Sequence, residues 1–309
     1  MNNILINPSV GLKGHYRLVK RNSKGDVLNE YEFDNVITNA GLNQWGSSFA
    51  FNRCVIGTGT ATPTISDTTL ASQSASTTAL IGGSTVSSGA PNYHVIKTLG
   101  YRFPQGTLNG NYAEVGVDNT TTGAVFSRSL ILDNLGNPTT ITILPSEVLD
   151  VYYILTIQID KTLRSGSMLL NGTTTVNFQI QASQVNSGFD GSSQQWSFPQ
   201  AQRFGTTNGN AFGVDATNGA FQSDALGTNW GNGGTVITAN GNTSIGSYIN
   251  GTYYNDLVYT LNIGELNGTF DKFRYTTAFG RYAVDMDTTI TKTLVNTFTI
   301  SMRYSWNCV

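Results

Sequence analysis

The sequence is short of charge, histidine and cysteine, and each shortage removes a class of function. Asp, Glu, Lys and Arg make up 12% of the residues, against roughly 25% in an average globular chain. The 17 basic and 19 acidic residues form no long run of one sign. A phosphate-binding surface needs clustered Lys and Arg, so nucleic acid is not an expected partner. Two histidines, His15 and His94, are little material for a structural zinc site or for a serine or cysteine triad. Two cysteines are too few for a disulfide framework, and Cys54 and Cys308 read as free thiols, the first inside a strand. No apolar run approaches the roughly 20 residues that span a bilayer. Met1 to Ser9 has neither a basic start nor an apolar core. Neither membrane insertion nor export by the usual signal is expected.

What is abundant is aromatic and β-favouring. With 15 Phe, 14 Tyr and 4 Trp the chain has the material for a large core. Period-2 alternation dominates. Val151, Tyr153, Leu155, Ile157 and Ile159 share one face of a strand, and Val176, Phe178 and Ile180 do the same. Phe298, Ile300, Met302, Tyr304 and Trp306 form the cleanest such series. Segments 15–21 and 27–33 flank Asn22-Ser-Lys-Gly-Asp26, a hairpin signal. Further strands are expected at Arg53 to Thr58, Tyr93 to Phe103, Tyr112 to Val117, Val125 to Leu132 and Thr140 to Leu144. One short helix, Ala40 to Trp45, is capped by Thr38 or Asn39 and stops at Gly46. The expected fold is all-β, an antiparallel β-sandwich or jelly-roll-like core with one short helix and a loop-rich insertion.

Composition divides the chain in three. Residues 1–164 and 270–309 carry most of the charge and the alternating strands. Residues 165–269 are charge-poor and rich in Gly, Asn, Ser and Thr, as in Gly205-Thr-Thr-Asn-Gly-Asn210. The middle stretch reads as an insertion or subdomain between two parts of one core.

Candidate chemistry is thin. Gly57-Thr-Gly59 follows a strand, but Thr62-Pro63 stands where a dinucleotide loop needs its third glycine and helix start. Asp285 and Asp287 share a strand face and have oxygen ligands suited to calcium, although without the known loop pattern solvated surface carboxylates are the simpler reading. No pair of acidic residues suggests the two carboxylates of a glycosidase, so a polysaccharide-degrading enzyme is disfavoured and no catalytic residue or cofactor is assigned. Trp196 and Trp230 lie beside Gln194, Gln195, Asn229 and Asn232. Aromatic faces beside amides suit a sugar surface, which makes these two tryptophans the candidate glycan contacts; the competing role is to anchor loops on the sheet.

Seven short stretches carry a resemblance. They are Asp34-Asn-Val-Ile-Thr-Asn-Ala-Gly-Leu42, Val55-Ile-Gly-Thr-Gly-Thr-Ala-Thr-Pro63, Ser66-Asp-Thr-Thr-Leu70, Tyr112-Ala-Glu-Val-Gly-Val117, Phe126-Ser-Arg-Ser-Leu130, Asn137-Pro-Thr-Thr-Ile-Thr-Ile143 and Leu149-Asp-Val-Tyr152. In this order they resemble a pattern of tail-associated structural proteins of tailed double-stranded-DNA bacteriophages, over roughly residues 27 to 160. The resemblance implies a non-enzymatic virion protein of the tail, tail fibre or collar, made in the bacterial cytoplasm. It implies partners among copies of itself, as a trimer or cyclic ring, and among other tail or neck proteins. A receptor-binding role toward a host surface glycan, through Trp196 and Trp230, is the alternative. In the matched stretches Gly57 and Gly59 are expected to turn the chain sharply, Asp67 to cap the turn before Leu70, and Asn137-Pro138 to set a hairpin loop.

Overall fold

The computed structural model describes residues 7–47, 49–88, 93–170, 173–185, 196–198, 212–215, 236–237, 242–264, 267–276 and 280–309. The longest alternating segments build a central sheet. Its order is β19 (Asn242–Ile245), β20 (Tyr254–Leu261), β23 (Phe298–Cys308), β1 (Ser9–Arg21), β13 (Val148–Ile159), β8 (His94–Phe103) and β7 (Leu80–Ser88), with β2 (Val27–Asp34) also bonded to β1. β1 has two partners on one side: β23 runs parallel to Ser9–Leu12, and β2 runs antiparallel to His15–Arg21. The parallel pairing makes this sheet mixed, and every other ladder in it is antiparallel.

Two further sheets pack against the central one. The first is β3 (Val36–Ile37), β11 (Val125–Leu130), β10 (Glu114–Asp118), β5 (Arg53–Gly57) and β6 (Gln73–Thr77). It meets β1 and β13: the Tyr16 hydroxyl lies 2.8 Å from Ser127 Oγ, and the Phe126 and Tyr153 rings are 6.3 Å apart. The second is β14 (Arg164–Leu170), β15 (Thr174–Val185), β22 (Gly280–Lys292), β21 (Gly268–Thr276), β17 (Phe212–Asp215) and β18 (Val236–Ile237). It meets β23 through Phe270 against Phe298 at 5.3 Å and Tyr282 against Tyr304 at 6.4 Å. Two short pairs complete the architecture, β12 (Ile141–Ile143) with β9 (Gly110–Tyr112) and β16 (Trp196–Phe198) with β4 (Phe49–Phe51). Apolar side chains from all three large sheets form one continuous core.

The all-β sandwich expected from alternation is what forms. On β13 the series Val151, Tyr153, Leu155, Ile157 and Ile159 is buried, and on β23 Phe298 to Trp306 is buried at alternate positions. Gly25 turns the first hairpin at φ +92°, where a side chain would be strained. The segment Tyr112 to Val117 is two strands rather than one. At Ala113 the amide donates to Gly57 O and the carbonyl accepts from Ile131 N, so the chain changes partners there. Within residues 165–269 the described parts are largely strand, and β14, β15, β20 and β21 supply much of the second half of the core.

The helix α1 (Asn39–Gly46) shows how closely these layers approach. Thr38 is its cap: Oγ1 accepts from Gly41 N at 2.9 Å and donates to Val125 O at 2.6 Å, fixing the helix to β11. Gly46 is required by packing. A Cβ there would lie 2.5 Å from the Tyr248 ring and 2.7 Å from that of Trp306. Trp306, 2% exposed, donates its indole N–H to Leu42 O at 2.9 Å. The last strand therefore grips the helix.

Candidate functional site

Four of the motif stretches converge on a single charged cluster. Glu114 opens β10 and is fully buried. Its Oε1 accepts from Gly59 N at 3.0 Å and Ser72 N at 2.7 Å. Its Oε2 accepts from Ala71 N and from Arg128 Nη2, both at 2.9 Å. Arg128, 3% exposed on β11, also donates Nη1 to Asp67 at 2.9 Å and Nη2 to Ala61 O at 3.0 Å. β-Register explains the meeting: Glu114 stands opposite Gly57 on β5, and Arg128 opposite Gly116 on β10. A buried charge persists only when paired and hydrogen-bonded, and here one carboxylate holds four donors.

These contacts revise two expectations. Gly57 and Gly59 leave room for the carboxylate rather than a sharp turn. A Cβ on Gly57 would lie 2.6 Å from Glu114 Oε1, and one on Gly59 would overlap the same atom. Asp67 reaches backward to accept from Thr64 N and Thr64 Oγ1, both at 2.8 Å, instead of capping toward Leu70. Burial raises its pKa, but the Thr64 and Arg128 hydrogen bonds outweigh that and hold the carboxyl below its usual range. The loop after β11 closes through Asp133, which accepts from Leu135 N and Asn137 N, and through Gly136 at φ +81°. Pro138 only begins the return, bridged to Leu132.

The product of the cluster is a fixed loop, residues 58–72. Leu70 is buried with Val55 and Val125, Ile65 O accepts from Asn39 N at 2.7 Å, and Thr68 O accepts from Val125 N at 2.9 Å. Between those anchors Thr58, Thr60, Ala61, Thr62, Thr64 and Ser66 face solvent, and Ile65 is 60% exposed. An exposed surface with its backbone already fixed loses little conformational freedom on contact with a neighbour.

The aspartate pair on β22 lies in a groove of about 620 Å³ across β14, β15 and β22, with Ser165, Ser167, Asn177 and Gln179. Asp285 is ion-paired with Lys272 at 2.9 Å. Asp287 accepts from the Asn177 side chain at 2.6 Å and its backbone at 3.0 Å, and these bonds hold its carboxyl below the usual range. No group of three or more metal-ligating side chains gathers among the described residues. Trp196 starts β16 and pairs with Phe51 of β4, which ties this part of the charge-poor stretch to the segment after the helix. Trp230 lies outside the described residues.

Residue patterns had left the strongest electrostatic sites unassigned. Besides Glu114 and Arg128, Asp118 takes a bidentate pair from Arg53 at 2.7 and 2.6 Å. Asp150, fully buried, joins Arg21 at 2.9 Å and Arg102 at 2.6 Å. Their acidic members Glu114, Asp118 and Asp150 share one signal, a carboxylate among apolar residues of a buried strand. Compared with known protein families, curated proteins and solved structures, the chain matches none.

Proposed function

We propose that the chain is a non-enzymatic structural subunit of a bacteriophage virion, placed in the tail, tail fibre or collar, where it contributes to assembly of the host-attachment apparatus. The observation that carries this reading is the convergence of four resembling stretches on the Glu114–Arg128–Asp67 cluster. Residues scattered over 57–130 act as one device, and that device holds an exposed loop in place. The same geometry gives those residues a scaffolding role. Every oxygen of Glu114 is engaged by backbone amides or Arg128, which leaves the carboxylate no position from which to move a proton or attack a bond. Loop 58–72 then supplies contact surface toward a neighbouring subunit.

Quantitative mass spectrometry of purified particles tests the proposal. The chain is expected in a fixed ratio to the major tail proteins, and its absence from particles overturns the reading. A glycan array with the isolated protein addresses the receptor-binding alternative. Binding that is lost in Trp196→Ala or Trp230→Ala, with folding and incorporation unchanged, would transfer the function to the charge-poor stretch.

A further inference from the structure

The central sheet ends on β7, a nine-residue edge strand without a charged side chain. From Thr68 through Ile96 the sequence holds no Asp, Glu, Lys or Arg. Among the described residues β7 has one strand partner, β8. Sheet edges that must stay single are usually protected by charge, proline or a bulge. β2, the strand beside β1, follows that rule with Glu30, Glu32 and Asp34. β7 has a register shift between Leu80 and Gly82 and then runs in regular register from Gly82 to Ser88, with neither charge nor proline.

We infer that β7 pairs with β7 of a second copy of this chain, antiparallel about a two-fold axis through Ser84. The sequence of the strand is complementary to itself about that residue. Antiparallel pairing centred on Ser84 sets Gly82 of one copy opposite Val86 of the other, twice. Val86 is 59% exposed on the outward face. A Cβ built on Gly82 meets nothing within 4 Å, so the space above Gly82 is open to receive the valine side chain. Gly83 opposes Thr85 and Ser84 opposes itself, small or β-branched residues without like charges across the axis. The pairing satisfies backbone groups along the edge and covers Val86 in one step. It extends the central sheet across the axis, and it does not depend on the virion reading.

Light scattering at micromolar concentration should give twice the 33.2 kDa chain mass. Val86→Lys places an ammonium over the partner's Gly82 and should return the protein to single chains, with circular dichroism unchanged. Ser84→Cys, made with Cys308→Ser, places two thiols across the axis at a separation a disulfide spans. Mild oxidation should convert most of it to covalent dimer, whereas Gln73→Cys on β6 stays uncrosslinked. The crosslink tests the register even if Val86→Lys fails to fold. Single chains at every concentration overturn the inference. So does a trimer or larger ring in which Ser84→Cys does not crosslink in pairs.

Discussion

Glu114→Gln is the most informative single change. The side chain keeps its size, so no cavity forms and the effect isolates the charge and one oxygen. In the native cluster four donors point at the carboxylate: Gly59 N and Ser72 N at Oε1, Ala71 N and Arg128 Nη2 at Oε2. Whichever way the amide is turned, its NH2 faces two of those donors. A buried polar group left without its partner costs about 1–3 kcal/mol. Arg128, 3% exposed, also loses one of its two counter-charges, both at 2.9 Å, and keeps only Asp67. The total should fall in the range of about 3–5 kcal/mol found when one partner of a buried ion pair is removed. At roughly 2 °C per kcal/mol for a chain of this size, melting should drop by about 6–10 °C. Hydrogen exchange localises the cause: the amides of Gly59, Ala71 and Ser72 should exchange faster while those of β13 keep their order of protection. Melting within 2 °C of the parent, with those three amides still protected, would refute the idea that the carboxylate holds loop 58–72.

Three further outcomes follow from the same packing. Trp306→Ala should cost about 3–5 kcal/mol, and Trp306→Phe about 1–3 kcal/mol because Leu42 O loses its donor; denaturant midpoints that fail to fall in the order parent, Phe, Ala would place the ring outside the core. Burial raises the phenols of Tyr16, Tyr101, Tyr153 and Tyr282, so the folded chain keeps protons that the unfolded chain releases near pH 10. Stability should be complete below about pH 10 and fall above it by about 1.4 kcal/mol per pH unit for each such phenol; equal urea midpoints at pH 9 and 11 would contradict that burial. Thiol titration should find two free groups in denaturant, and in the native protein the exposed Cys308 should react far faster than the buried Cys54, whose thiol burial pushes up; equal rates would count against the placement of Cys54.

Strands with a buried and an exposed face were legible from residue order. β13 and β23 alternate throughout, and the Asn22 to Asp26 turn marks the first hairpin. β7 was not legible, because Gly82-Gly83 and a run of Ser and Thr have the composition of a loop. β20 alternates as clearly as β13, with Asn255, Leu257, Tyr259 and Leu261 buried, yet it sits in a Gly- and Asn-rich neighbourhood that points the other way. The charged cluster is a different case. Glu114 and Arg128 are visible as odd charges in apolar strands, but their meeting with Asp67 depends on the register of three strands and on the return of a loop. Pairwise register is a tertiary property, and local sequence does not contain it.

The parallel contact of β1 with β23 has a consequence for the order of synthesis. β23 lies between β20 and β1, so the central sheet is two separate pieces until residues 298–308 arrive. A nascent chain can complete the hairpin of β1 and β2 early and then hold the whole first half of the sandwich against one unfilled side. Tyr304 and Trp306, which seal Tyr282 and the helix, follow every other described strand in the order of synthesis. A chain broken off just before residue 298 lacks the strand that joins its two halves. Such a product exposes the edges of β1 and β20 that β23 would cover, a template for wrong pairing.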